Sequence, residues 1–244
     1  MSGHSKWHNI RVKKEAEDAK RSKIFSKLAR MITIAAREGG NPETNTKLRT
    51  AIEQAKNFNM PSENIEKAIK RGTGELKGGA LEEFLFEAYG PENSAILIEG
   101  ITDNMKRALT EIKQVLTESN AKLAESGSVK WMFTRKGVII VDILKQDEKY
   151  KNKENIELEV IECGADDIDY AEENVLSVYT KTEDLNKVKN CLEGKGIKIE
   201  SASLDWIPNT TIEISDKAKE ALKNLFEKLD NLDDVQELYC NVNL

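Results

Sequence analysis

The sequence predicts an α+β protein with an N-terminal three-helix domain, a discontinuous α/β middle domain and an inserted ferredoxin-like βαββαβ domain. Three observations carry this reading. Up to residue 72 the apolar residues recur at spacings of three and four, the helical period, and beyond residue 80 they gather into short runs bounded by turn signals. The stretch from Arg135 to Asp205 reads strand, helix, strand, strand, helix, strand. The strand, helix and strand after Trp206 are too few to bury a core of their own, so they complete the equally unfinished region 78–134.

Residues 1–20 form a polar, basic arm, with little to bury beyond Trp7, Ile10 and Val12. The helical domain spans 21–77. Its first helix carries Phe25, Leu28, Ile32 and Ala35 on one side and stops near Glu38 at Gly39-Gly40. Leu48, Ala51, Ile52 and Ala55 mark a second helix. Pro61-Ser62-Glu63 opens a third with an acidic residue in its first turn, and Gly72-Thr73-Gly74 ends it. Gly78-Gly79 completes a hinge.

The middle domain comprises 78–134 and 206–244. Glu82–Tyr89 and Ala95–Ile101 read as strands joined at Gly90-Pro91-Glu92-Asn93. Asp103 is expected to cap a helix with Met105, Leu109, Ile112 and Leu116 on its core face. Val129–Phe133 reads as a strand. After Pro208 come a strand at Thr211–Ile214, a helix bearing Ala218, Leu222, Leu225 and Leu229, and a closing strand at Val235–Asn241. The inserted domain spans 135–205: strand Val138–Ile143, helix Asn155–Cys163, a hairpin of Ile168–Ala171 with Val175–Thr180, a helix capped by Thr182, and strand Ile197–Leu204.

Net charge is −6, which taken alone argues against a nucleic-acid partner. The distribution reverses that argument. Residues 1–77 hold 17 Lys+Arg against 9 Asp+Glu, a net of +8, and the remainder carries −14. Within the basic part Lys20, Lys23, Lys27, Arg30 and Arg37 share one helical stripe, off the apolar face. That stripe is expected to face solvent and seek phosphates. It continues into an arm where Trp7, able to stack on a base, stands among Lys6, His8, Arg11, Lys13 and Lys14. The alternative role for Trp7 is an anchor pinning the arm to the protein.

Chemistry of other kinds finds little support. His4 and His8 are the only histidines, both in the arm, which leaves no nucleophilic triad and no third ligand for a metal. The acidic pairs Glu82-Glu83, Asp166-Asp167 and Asp233-Asp234 read as surface or capping groups before they read as a magnesium site. No glycine run fits a nucleotide-binding fingerprint. Neither catalytic residues nor a cofactor are expected. Cys163, Cys191 and Cys240 are scattered and odd in number, and read as reduced thiols in a cytoplasmic protein. No apolar run approaches the ~20 residues of a membrane helix.

Several strings resemble the YebC/PmpR family, which includes the mitochondrial translational activator of cytochrome oxidase subunit I. They are Gly3-His4-Ser5-Lys6-Trp7, Ala35-Ala36-Arg37-Glu38-Gly39-Gly40, Asn59-Met60-Pro61 with Asn64-Ile65-Glu66-Lys67-Ala68-Ile69, Tyr89-Gly90-Pro91, Thr102-Asp103-Asn104, Ser126-Gly127-Ser128-Val129 and Asp233-Asp234-Val235-Gln236. The resemblance implies three domains, the second interrupted by the third, with no enzymatic activity. It also implies a DNA-binding transcriptional regulator, the alternative being a translation factor at the ribosome. The chain departs from the family at Glu92-Asn93, where glycines are usual, at Met105-Lys106-Arg107-Ala108, and at Leu123-Ala124-Glu125.

The expected partner is therefore nucleic acid, duplex DNA or ribosomal RNA, met by His4, Lys6, Trp7, His8, Arg11, Lys13, Lys14, Lys20, Lys23, Lys27, Arg30 and Arg37. The protein is expected to be a monomer or weak dimer with no membrane contact. From another class, a protein-interaction scaffold presenting the ferredoxin-like sheet is the competing expectation.

Overall fold

The computed structural model describes residues 18–244. They fall into two compact units, residues 18–129 with 214–238, and residues 130–213 with 239–244.

The first unit begins with three helices, α1 (Asp18–Ala35), α2 (Thr46–Asn57) and α3 (Ser62–Gly72). Their apolar stripes converge: Leu28, Ile32, Ala35 and Ala36 meet Leu48, Ala51, Ala55, Met60, Ile65 and Ala68 in one buried cluster. Side chains fix the turns between them. Asn45 accepts from the Leu48 amide at 3.0 Å as N-cap of α2, and donates to the carbonyls of Ala35 and Gly39 at 2.7 and 2.8 Å. The segment carrying Arg37 is thereby tied to the start of α2.

Helices α1 and α3 cross closely because Gly72 has no side chain. A Cβ there would lie 2.3 Å from the Thr33 carbonyl oxygen and 2.6 Å from Ala36 Cβ. Gly72→Ala should therefore push the helices apart, destabilising the protein by about 1–3 kcal/mol. Chemical denaturation would show this as a lowered midpoint at unchanged slope.

The same unit holds an antiparallel sheet. Strands β1 (Glu82–Tyr89), β2 (Ala95–Thr102), β3 (Lys122–Leu123) and β8 (Val235–Cys240) lie in the order β3-β1-β2-β8. Glu82 pairs with Thr102 and Tyr89 with Ala95. The central strand β2 is buried along nearly its whole length, which suits the apolar run Ala95–Ile98 at its start. Helices α4 (Met105–Glu118) and α8 (Asp216–Asp230) pack together. They bury Ala108, Ile112 and Leu116 with Leu222, Leu225, Phe226 and Leu229. The buried carboxylate of Glu87 on β1 accepts from the amides of Gly127 and Val129 at 2.6 and 2.5 Å, which accounts for the Ser126–Val129 string.

The turn at Glu92-Asn93, where the resemblance leads one to expect glycines, has an unusual backbone. Glu92 and Asn93 have φ of 52° and 61°, the left-handed region that glycine enters most easily. Glu92 accepts from the hydroxyl and amide of Ser215 at 2.5 and 3.1 Å, and Ser215 is the N-cap of α8. A strained residue thus gains a use in holding the start of a helix.

The second unit has strands β4 (Phe133–Asp142), β5 (Asp167–Glu172), β6 (Val175–Thr180) and β7 (Ser201–Pro208), antiparallel in the order β5-β6-β4-β7. Helix α6 (Lys153–Glu162), preceded by the single turn α5 (Glu148–Lys151), follows β4, and α7 (Leu185–Gly194) follows β6. This is the expected ferredoxin-like arrangement, with Ile139, Val141, Leu176 and Val178 packed against Ile156, Val160, Val188 and Leu192.

Several expectations need correction. Cys163 and Cys191 are not reduced thiols but a disulfide with Cα atoms 5.7 Å apart, because the end of α6 lies beside the last turn of α7. Cys240 alone is free, and burial pushes its thiol up to about 12. Asn104, not Asp103, caps α4, accepting from the Arg107 amide at 3.1 Å. Asp184, not Thr182, precedes α7. Residues 130–132 form a 3-10 turn in place of a strand, and Thr211–Ile214 contributes only an isolated bridge from Ile212 to Val242.

Candidate nucleic-acid interface

Of the residues expected to touch nucleic acid, His4, Lys6, Trp7, His8, Arg11, Lys13 and Lys14 lie outside the described residues. Lys20 is within α1, but its side chain also lies outside them. Lys23, Lys27, Arg30 and Arg37 can be placed.

The first three do not form a solvated stripe. Lys27 is only 8% exposed. Its ammonium donates to the Asp230 carboxylate at 2.8 Å and to the Asp230 carbonyl at 3.3 Å. Lys23 donates to the Asn231 side chain at 3.1 Å. Both cations therefore sit at the C-terminus of α8, where unpaired carbonyls and the helix dipole favour positive charge. Burial and the neighbouring Lys27 push the Lys23 ammonium below its ordinary pKa, partly offset by Asp230 and Asp233.

Arg30 goes further. Its guanidinium donates to the carbonyls of Ile101 at 2.7 Å and Asp233 at 2.9 Å, and to the Asp234 carboxylate. Asp234 is almost fully buried, and also accepts from Thr102 Oγ1 at 2.9 Å and from Arg107 at 2.9 and 3.2 Å. Burial alone would raise its pKa, but hydrogen bonds from Arg107, Arg30 and Thr102 hold the carboxyl below its ordinary range. Gly100 lets the backbone come this close: a Cβ there would be 2.3 Å from the Asp234 carbonyl oxygen.

This corrects the central expectation. The spacing did place Lys23, Lys27 and Arg30 on one face, but that face docks the helical bundle onto residues 230–234. Its anionic partner is internal. The Asp233-Asp234 string is likewise an anchor, not a solvated pair. Arg107, in the first turn of α4, pairs with Asp234 at 2.9 Å.

Arg37 fares differently. It is exposed, sits in the 3-10 turn Ala36–Glu38 after α1, and makes no ion pair among the described residues. The Gly72 crossing brings this turn against the end of α3. Lys70 and Arg71 there are also exposed and unpaired among the described residues. By contrast Lys47 pairs with Glu38 at 2.5 Å and Lys67 with Glu63 at 2.5 Å. The open cations of the bundle thus include Arg37 with Lys70 and Arg71, and the last two lay off the stripe that sequence reasoning followed. The available signal was their position in the final helical turn beside a glycine. Such a position also has a purely local use, complementing the helix dipole.

Among the described residues no group of His, Cys, Asp and Glu could hold a metal, and no helix is long and apolar enough to cross a membrane.

Two family models match the chain, the TACO1/YebC protein N-terminal domain over residues 5–75 and the TACO1/YebC second and third domain over residues 81–242. Curated relatives align end to end. A protein of Halothermothrix orenii is 48% identical across 100% of this chain and 96% of its own length, and one of Persephonella marina 48% across 99% and 95%. A third, from Thermotoga maritima, is 46% identical across 99% and 93%. Each is named "Probable transcriptional regulatory protein". The crystal structure of a conserved hypothetical protein from Aquifex aeolicus matches with a TM-score of 0.84 at 43% identity, covering 92% of this chain and 91% of that one. With both family models matched and relatives nearly half identical along their whole length, the chain belongs to the TACO1/YebC family.

Proposed function

We propose that this protein is a cytoplasmic, non-enzymatic regulator of transcription that binds duplex DNA through its N-terminal arm and helical bundle. The observation that carries the reading is the end-to-end match to relatives named as transcriptional regulatory proteins. The bundle supports it with exposed Arg37, Lys70 and Arg71, which are not consumed by internal ion pairs among the described residues. The arm residues His4, Lys6, Trp7, His8, Arg11, Lys13 and Lys14 extend that surface in this proposal. Lys23, Lys27 and Arg30 do not belong to it, because their donors are already engaged.

The test is binding of labelled duplex DNA across a salt series. Each phosphate contact removed should flatten the log–log salt slope by about 0.9. The triple variant Arg37→Glu, Lys70→Glu, Arg71→Glu should bind at least roughly tenfold more weakly at ~0.15 M salt, with an unchanged melting curve. Undiminished duplex binding would remove the bundle from the interface. Co-sedimentation with ribosomes, in the absence of any duplex binding, would replace this reading with the translational one.

A further inference from the structure

We infer that Cys163 and Cys191 are a reversible thiol–disulfide site, a covalent clasp between α6 and α7 that a small-molecule thiol opens and the corresponding disulfide re-forms. Cys163 is the C-cap of α6 and Cys191 lies in the last turn of α7, with Cα atoms 5.7 Å apart.

A disulfide in a small domain usually compensates for a core too small to hold the fold. The ferredoxin-like unit has no such shortfall, since Ile139, Val141, Leu176 and Val178 pack against Ile156, Val160, Val188 and Leu192 in a continuous buried cluster. In the reducing cytoplasm proposed above, a disulfide that persists is chiefly a redox-sensing or catalytic one.

The seam between the two helices is also held by other means. Lys195, the C-cap of α7, reaches back to α6, where its ammonium donates to Glu159 and, at 2.6 Å, to Glu162. Tyr150, buried in α5, donates from its hydroxyl to the Lys195 carbonyl at 2.8 Å. None of these bonds involves sulfur, so opening the bridge leaves the two thiols facing each other. Thiols kept so close re-form their bond far more readily than separate molecules react.

Exposure selects the sulfur that is attacked. Cys163 is buried, whereas Cys191 is half-buried. An incoming thiolate forms a bond to Cys191 Sγ, the bridge breaks, and Cys163 leaves as a thiolate that takes up a proton. A second thiolate attacks the reductant's own sulfur in the mixed disulfide and releases Cys191, which is protonated in turn. Two thiols of the reductant thereby become one disulfide, and two electrons and two protons pass to the cysteines. Cys240 serves as an internal reference: burial pushes its thiol up to about 12, so it stays unreactive until the chain unfolds.

The experiment equilibrates full-length wild type, Cys163→Ser, Cys191→Ser and the double variant with reduced and oxidised glutathione in varying ratio, without denaturant. Acid quenching followed by maleimide labelling in denaturant counts the free thiols by mass. Wild type should pass from one free thiol to three as reduced glutathione rises, and return to one when the ratio is reversed. Cys163→Ser should take up one glutathione, on Cys191, whereas Cys191→Ser should take up none in the same time. Reduced wild type should still melt cooperatively, roughly 6–12 °C below the oxidised form, and the double variant should melt at that lower temperature at every ratio. A bridge that opens only in denaturant would be a permanent staple and would overturn the proposal. Three free thiols at every ratio, glutathione uptake on Cys163 in place of Cys191, or a reduced protein that no longer folds would overturn it too. None of these readouts involves nucleic acid, so their failure leaves the regulator reading standing, and a failure of duplex binding leaves the clasp standing.

Discussion

Replacing Asp234 with alanine is expected to destabilise the protein by about 3 kcal/mol. Removing one member of a buried ion pair typically costs about 3–5 kcal/mol, because the partner keeps its charge without its counterion. The lower end applies here. Arg30 retains the carbonyls of Ile101 and Asp233, and Arg107 is 44% exposed and retains Asp103 at 2.8 Å. Thr102 Oγ1 loses its acceptor and adds to the loss. The effect should depend on pH in a defined direction. The folded carboxyl has a depressed pKa, so its contribution is fully present above the unfolded value near about 3.9. It disappears as pH falls through the folded value. Urea melts at neutral pH should therefore separate wild type from Asp234→Ala, and melts in increasing acid should bring them together. A difference that stayed constant down to strong acid would mean that Asp234 acts through packing and not through charge.

The second large effect concerns the stripe itself. The double variant Lys27→Glu, Arg30→Glu should lose on the order of 3–5 kcal/mol, since it breaks two internal ion pairs and sets new carboxylates against Asp230 and Asp234. Its nucleic-acid binding should fall only as far as its folded fraction falls. Arg37→Glu is the contrasting variant: exposed and unpaired among the described residues, it should change stability by no more than about 0.5 kcal/mol. Thermal melts alongside titrations with duplex DNA decide the matter. A double variant that melts like wild type yet fails to bind would return Lys27 and Arg30 to the interface.

The misreading of that stripe marks where sequence reasoning ends. Periodicity reports which residues share a face, and it did so correctly for Lys23, Lys27 and Arg30. It carries no information about what lies opposite, and the opposing carboxylates are some two hundred positions away in the chain. The Cys163–Cys191 bridge was hidden in the same way, by a pairing that only the side-by-side packing of two helices creates. Elements with strong local signals were legible: the helical stripes of the bundle, the β1–β2 hairpin and the βαββαβ order all follow from period and turn chemistry. Capping residues were harder, because Asp103 and Asn104 are both good caps and backbone geometry chooses between them. Glu92 was visible as a departure, but its bonds to Ser215 were not.

The place of β8 has a consequence for the order in which this protein can form during synthesis. β8 closes the sheet beside β2, yet the ribosome makes it more than a hundred residues later. Contacts of such long sequence separation are slow to close. Until those residues emerge, β2 has an open edge and Arg30 lacks both Asp233 and Asp234. The three helices can gather early around their own local contacts, whereas their docking waits for residues 230–234. A nascent or prematurely ended chain would carry a formed bundle with Lys27 and Arg30 uncovered. Arrival of residues 230–234, not the bundle's own folding, removes those cations from solution.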